Sequence, residues 1–561
     1  MKRKIYFLFV FVFCVTLSLS KRANAQLRSV PYESDSTYFT VANAMKNPDR
    51  CAYIYLEYDS LTSLPKNFKQ LNHLRGILFK FCPVAKWDSV FMTLAQINTL
   101  EYLDINICKL KFLAPEISLL KNIRGLSLSA NGLTSLPPGL SACTNLTYVS
   151  LALNTQMDWS DAASVLSKIP KLTSLDISNE QFFELPEAIT QLKDLTELDL
   201  SNDNLTMLPA EFYEMDKITS LNLSNNLMID FDDLFSNLGN FKGLENLDMS
   251  GNDMKEIPKS IGNSLTLVSL NLSGNQISKL PSTFGNLKQL KNLNLGSDAS
   301  GQRKNQIQKF PGFDKLENME SLDLSGMSLN KIPDFIGKMT KLRELKMNWC
   351  PVVAISEVLR NCKQLEKLAL NFSMVSEIPE WIGELTELKE LELDANFFGW
   401  NVKKIISIPA SITDCKNLEI LTLRDQLVKS LPDNFSSLSK LKRLDFRNNG
   451  LTRLPDDFYK LGNLKYLDLK ANMLPALPVS FSQLPKLAFL DISFNLPMNN
   501  EMLVEVLTKT SSLRMVDVSY LNMDAKNIAD LQAALPKTKI VCLSLYYLPT
   551  PGTSKDEQPK K

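Results

Sequence analysis

Enzymes that move protons at neutral pH lean on histidine, and this chain of 561 residues holds one, His73. A histidine general base, a nucleophile–histidine pair or a multi-histidine metal site would all depend on that side chain. It stands just before the first apolar residue of a recurring pattern, where a surface or turn residue belongs. No phosphate-cradling glycine loop and no G-x-S-x-G elbow occurs. Carboxylates are plentiful, 61 Asp and Glu, so inventory alone leaves a paired-carboxylate hydrolase open. Their placement argues otherwise. Asp176, Asp199, Asp248, Asp323, Asp445, Asp468, Asp491 and Asp517 all fall at one position of the pattern, as scaffold residues do. The reading is of a chain that binds and does not catalyse, with no cofactor and no metal.

The pattern itself must position whatever does the binding. Leu267, Leu270, Leu272 and Asn275 repeat the spacing of Leu464, Leu467, Leu469 and Asn472, and Ile218, Leu221, Leu223 and Asn226 follow it with one Ile. A Leu-Pro or Ile-Pro pair follows most copies, as at Leu136-Pro137, Leu208-Pro209, Ile332-Pro333 and Leu454-Pro455. This L-x-x-L-x-L-x-x-N recurrence, about twenty copies between Cys51 and Leu513, resembles the leucine-rich-repeat family. The L-P-x-x-[IF] form is similar to the 23-residue type of bacterial exported proteins and of the plant Ras-group-related type. The resemblance implies an α/β solenoid, a horseshoe with short parallel strands on the concave side. Its convex side would be polyproline-like, 3-10 or short-helical.

Physics assigns each slot. Positions 4 and 6 are apolar with a period of two, so they share the inward strand face, while positions 3, 5 and 7 point out. One repeat cannot bury its apolar side alone, but stacked neighbours make a continuous core. The Asn at position 9 turns the chain and satisfies backbone groups freed by the bend. Asn131, Asn154, Asn226, Asn252, Asn275, Asn449 and Asn472 are therefore expected to form a buried structural ladder. Cys82, Cys108 and Cys350 occupy the ladder position, and Cys143, Cys362 and Cys415 an inward convex slot. Cys51 takes a first-Leu slot and Cys542 the final strand, so all eight read as small buried residues, not disulfides or a metal site.

Four longer repeats lack the Leu-Pro pair and carry helical apolar spacing over Trp87–Ile97, Trp159–Ile169, Phe231–Leu238 and Glu501–Thr508. Three of them begin at Leu74, Leu146 and Ile218, a super-period of 72 residues that suggests block duplication. Insertions at Gly296–Lys304 and Phe397–Ile406 read as protruding edge loops. The organisation expected is a signal peptide over 1–25, an N-terminal cap over 26–50 and the solenoid over 51–523. A C-terminal cap over 524–549 follows, with a helix at Asp524–Leu535 and a strand near Val541–Leu545, then a disordered tail over 550–561.

Lys2, Arg3 and Lys4 precede an apolar run from Ile5 to Leu19, and Ala23 and Ala25 offer the small residues of a cleavage site. Cleavage near Ala25 predicts a secreted, periplasmic or cell-envelope protein with no transmembrane segment left. Acid and base nearly cancel, at 61 against 62, which provides no field for nucleic acid. The family resemblance implies recognition of another protein on the concave face and edge loops; a glycan-binding adhesive surface is the alternative, drawn from Tyr53, Tyr55, Tyr102 and Tyr148. Candidate contacts are the inserted Phe397, Phe398 and Trp400, the acidic row Glu390, Glu392 and Asp394, and the basic column Arg424, Arg447 and Lys470. Trp349 and Phe372 join them at position 8. Two alternatives stay open: the insertion folds back on its own repeat, or Asp445 and Asp468 neutralise the bases across strands.

Overall fold

In the computed structural model the described residues are 36–298, 300–395 and 403–543. The expected signal peptide 1–25, the first part of the expected cap, the inserted Phe397, Phe398 and Trp400, the end of the strand expected near Val541–Leu545 and the tail lie outside them. The chain forms two compact units, Met1–Leu316 and Glu317–Lys561. Each is an α/β solenoid of short parallel strands, one strand per repeat.

In the first unit Ser220–Asn222, Asn246–Asp248 and Ser269–Asn271 pair residue for residue, so Leu221, Leu247 and Leu270 stack in one inward column. Leu223, Met249 and Leu272 form the second column, and both are buried. The second unit repeats this with Leu421, Leu444, Leu467 and Leu490. On the far side each Pro holds extended backbone, as at Pro209 (φ −64°, ψ 152°), and a 3-10 turn follows, as at Ala210–Glu214. Proline fixes φ and lacks a donor, which suits the extended backbone that leads into each turn. Phe212, Ile261 and Phe284 from these turns seal the interior.

In the four longer repeats, which lack the Pro, α-helices form at Trp87–Leu94, Trp159–Leu166 and Phe231–Asn237 in the first unit and Asn500–Thr508 in the second. Ser356, replacing the Pro in a repeat of ordinary length, still leads into a 3-10 turn at Glu357–Asn361. Three of the α-helices have a polar N-cap accepting first-turn N–H groups: Asp158, Asp230 and Asn499. A strand at Thr37–Tyr38 pairs with Tyr53–Ile54 at the start of the first unit. At the end of the second, Ala525–Ala534 begins with an Asp524/Asn527 capping box and Lys539–Val541 pairs with Met515–Asp517.

Position 9 carries a hydrogen-bonded ladder. Asn154 Oδ1 accepts from the Asn131 and Leu133 N–H groups while its Nδ2 donates to the Leu128 and Leu151 carbonyls. Asn131, Asn226 and Asn275 do the same in the first unit and Asn449 and Asn472 in the second. Asn252 donates to Leu223 and accepts from Asn226. Cys82, Cys108 and Cys350 point their thiols at the equivalent carbonyls of Leu56, Phe79 and Leu324. Cys143, Cys362 and Cys415 address carbonyls of the preceding convex turn. All eight described cysteines are free, and burial pushes Cys143 and Cys362 up to about 11 and Cys108 up to about 12. Cys542 corrects its expectation: it lies one residue beyond the last strand and is exposed.

The insertion at Gly296–Lys304 exposes Ser300, Gly301, Gln302 and Lys304 and is anchored along its own unit through Arg303. Arg303 donates to the Gly251 carbonyl at 3.0 Å and faces Asp253 at 3.5 Å, two repeats upstream. At the second insertion the described end is not loop-like: Ile405 is buried and its N–H donates to Gln426 Oε1.

Candidate ligand-binding face

The outward strand positions of the second unit hold most of the candidate residues, and the fold compensates their charges unevenly. Asp at position 5 accepts from the backbone N–H two residues on, as Asp468 does from Lys470 and Asp491 from Ser493, so each Asp closes its strand end. The acidic row is internally paired. Lys367 Nζ lies 2.5 Å from Glu390 and 2.8 Å from Glu392, and Asp394 is buried, its Oδ1 accepting from the Arg424 N–H. The basic column is partly consumed as well. Arg424 grips the fully buried Asp445 through Nε at 2.8 Å and a terminal nitrogen at 2.6 Å. Arg447 acts on Asp468, whose carboxyl is pushed up to about 6 by burial and by the neighbouring Asp445. Lys470 Nζ sits 5.3 Å from the Phe494 ring centre.

What remains on offer is aromatic. Arg443, Tyr466, Phe489 and Met515 stand in register at position 3 of successive strands. The Arg443 guanidinium lies 4.0 Å from the Tyr466 ring centre, and Tyr466 stacks on Phe489 at 4.4 Å and 3°. The three form a continuous half-buried stack with Arg443 also tied to Asp445 at 3.3 Å. Burial pushes the Tyr466 phenol up to about 12.

A second aromatic feature runs along position 8, where the chain leaves the strand with positive φ. Asn202 (62°), Asn225 (56°) and Gly251 (68°) fill that slot in the first unit. A Cβ at Gly251 would lie 2.2 Å from Asn225 Oδ1, so any other residue there would have to turn that side chain away. Yet Trp349, Phe372, Phe494 and Tyr520 occupy the same left-handed slot in the second unit, at φ of 59° to 62°. Bulky side chains are disfavoured there by about 1–2 kcal/mol each. They stack in pairs, Trp349 on Phe372 at 4.0 Å and Phe494 on Tyr520 at 4.1 Å, and Trp349 stays 55% exposed. Exposed Val353 and Met374 extend the first pair, and Met473 and Leu496 the second. In the first unit Tyr58 stacks on Phe81 at 4.7 Å in the same way.

The tyrosines of the first unit lie on the strand face. Tyr53, Gly76, Tyr102, Gly125 and Tyr148 are in register, Tyr alternating with Gly. The Tyr53 ring lies over Gly76, where a Cβ would sit 3.0 Å from its Cδ1, so that glycine makes room for a flat ring. Tyr148 is buried. Asp104, pushed up to about 7 by burial, keeps one buried oxygen without a hydrogen-bond partner.

Reading each repeat across itself misses Lys367, Tyr466, Phe489, Phe494 and Tyr520. The signal lies in the third and eighth positions read down successive repeats. Among the described residues no cluster of His, Cys, Asp and Glu is arranged to hold a metal ion, and no helix is long and apolar enough to cross a membrane.

By sequence, the family described as leucine-rich repeat region matches residues 232–349, and the one described as leucine rich repeat matches 170–228, 416–474 and 439–496. No curated protein matches the chain. Among solved structures, a complex of TLR13 with ssRNA13 is 20% identical over 88% of this chain and 82% of its own, with a TM-score of 0.58. A leucine-rich-repeat protein of Leptospira interrogans is 24% identical over 90% and 100%, with a TM-score of 0.42. The plant peptide hormone receptor RGFR1, in complex with RGF2, is 20% identical over 91% of both chains, with a TM-score of 0.46.

Proposed function

The chain is a leucine-rich-repeat protein, and from that premise we propose that it is a non-enzymatic scaffold that binds another protein, exported to the cell envelope or beyond it. The observation that carries this reading is the Arg443–Tyr466–Phe489 stack, a row of rigid amphipathic side chains on an otherwise charge-compensated face. Interface hot spots are enriched in Trp, Tyr and Arg, and an aromatic ring supplies large contact area at low conformational entropy. Trp349 and Phe372 enlarge the surface at the strand edge. Phe397, Phe398 and Trp400 remain candidate contacts in this proposal on their residue types alone. The solved TLR13 complex holds RNA, but a formal net charge of +1 supplies no attraction for a polyanion here. Export rests on the basic and apolar residues ahead of Ala25. Affinity capture from native culture tests the reading, with the wild-type chain and Tyr466→Ala as parallel baits. A partner held by the first and lost by the second, at unchanged melting temperature, is expected. A partner held equally by both would remove this face from the reading.

A second reading, glycan binding by the first unit, is favoured by the flat Tyr53 ring over Gly76 beside Tyr102. Sugars stack on such rings. A glycan array with wild type and Tyr53→Ala decides it, and absence of any Tyr53-dependent signal retires it.

A further inference from the structure

Two consecutive rungs of the first unit's ladder are acids. Glu180 and Asp203 stand at position 9 between Asn154 and Asn226, and they are 5% and 0% exposed. One oxygen of each does the ordinary work of the amide oxygen. Glu180 Oε1 accepts from the Asn154 N–H at 2.6 Å, and Asp203 Oδ1 accepts from the N–H groups of Glu180 and Gln181. The other oxygens, Glu180 Oε2 and Asp203 Oδ2, are buried with no hydrogen-bond partner.

The neighbouring rungs show what belongs at that atom. In Asn131, Asn154 and Asn226 it is a nitrogen that donates to the position-6 carbonyl of the preceding repeat, Ile105, Leu128 and Leu200 respectively. Gln426 in the second unit is the closer analogue of Glu180, and its Nε2 donates to the Leu393 carbonyl at 2.7 Å. By repeat register the equivalent carbonyls are those of Leu151 and Ile177. A carboxylate oxygen directed at a carbonyl offers two acceptors and no proton, which in a dry interior is repulsive. A carboxylic acid restores the missing donor.

We propose that Glu180 and Asp203 are held in the folded protein as neutral carboxylic acids, each using its proton as the second donor of its rung, so that this stretch of ladder requires two protons to close. The charged groups that face them are carboxyls as well: Asp176 acts on Glu180, and Glu180 with Asp199 acts on Asp203. Burial raises both acids to about 8, and these like-charged neighbours add to it. Ordinary Asp and Glu titrate near 4 in an unfolded chain. The native state therefore binds protons that the unfolded state has released across pH 4 to 8. Stability contributed here is fully present below the unfolded pKa, falls as pH rises through that window and levels off above about 8. The two rungs form a proton-dependent weak point between rungs of Asn whose amides do not titrate.

The test compares the full chain with Glu180→Gln/Asp203→Asn, whose amides reproduce the rungs found at Gln426 and Asn226. The melting-temperature difference, variant minus wild type, is expected to grow steadily from pH 4.5 to about 8, by roughly 3–6 °C or more, and to stay flat beyond. Asp104 and Asp248, also raised by burial and not among the groups facing the two acids, titrate in both proteins and cancel from the difference. Infrared difference spectra at pH 7 provide the second readout: the protonated-carboxyl band of wild type is expected to shrink in the variant. A pH-independent difference between pH 5 and 8, or a protonated-carboxyl band unchanged by the substitutions, would overturn the proposal.

Discussion

Repeats Ser220–Ser273 of the first unit and repeats Arg424–Tyr520 of the second are built on the same interior and differ only in what they turn outward. In the first stretch the outward side chains hold one another. Asn222 donates to Asp199 at 2.9 Å, Asn271 donates to Asp248 at 3.0 Å, and Ser273 Oγ donates to Asn271. Short polar side chains bonded along the sheet leave little for a ligand to gain by desolvating them. In the second stretch charge is also settled internally, through Arg424 and Asp445, yet Tyr466 and Phe489 keep ring area that no scaffold bond needs. The position-8 slot repeats the contrast at the end of the second stretch, where Phe494 and Tyr520 follow Asp425, Asn448 and Ala471, while the first stretch holds only Asn and Gly there. Positions 4, 6 and 9 thus hold the fold, while 3 and 8 are free to vary and, in the proposed reading, serve recognition.

That separation predicts equal damage when the interior is cut in either stretch. Leu270→Ala and Leu444→Ala each remove a side chain no more than 1% exposed, and each is expected to lower stability by about 2–5 kcal/mol. Chemical denaturation of both variants checks it. A loss confined to one of them would mean that the interiors are not equivalent. Cutting position 3 is expected to split the stretches instead. Tyr466→Ala should weaken partner binding by about 2 kcal/mol or more, whereas Asn246→Ala in the same column should leave it unchanged. Titration of the captured partner against both reads the result, and equal losses would erase the distinction. A ladder cut comes next in size: Asn252→Leu strands buried backbone groups at about 1–3 kcal/mol, and an unchanged melting curve would contradict the bonds to Leu223 and Asn226.

Much of the fold is legible because apolar period and turn residues act locally. The Leu spacing places the strand columns, the extra length and helical apolar spacing of four repeats mark their helices, and Asp158, Asp230 and Asn499 announce three of the starts. The candidate face is less legible, for a physical reason. Its side chains choose partners one repeat away, more than twenty positions distant in sequence. Glu390 and Glu392 read as an exposed acidic row until Lys367 is set beside them in register. Arg424 reads as available until Asp445 takes it. Arg303 reaching Gly251 has no local signal at all, so the anchoring of the insertion that contains it goes unread. Cys542 is misread because the last strand ends at Val541 and nothing stacks beyond it to bury the thiol.

The smallest effect bears most directly on whether position 8 is a recognition column. Trp349 at φ 60° carries strain of about 1–2 kcal/mol that Gly would not. Its stack on Phe372 returns about 0.5–1.5 kcal/mol, and a Gly substitution also adds unfolded-state entropy of about 0.5–1 kcal/mol. These terms nearly offset, so Trp349→Gly and Phe372→Gly are each expected to shift stability little. Their double-mutant cycle should still show coupling of about 0.5–1.5 kcal/mol, the stack itself. The matching cycle in the first unit, Asn179→Gly with Asn202→Gly, should show none, since Asn tolerates φ of 62° without a stacked partner. Had the aromatics been placed there for stability, the single variants would lose well over what the stack can supply. Near-neutral singles with measurable coupling leave an exposed pair that the fold does not need, and partner binding by Trp349→Gly then shows what it is for. Binding unchanged in that variant would return position 8 to the scaffold columns and leave position 3 as the sole outward difference between the two stretches.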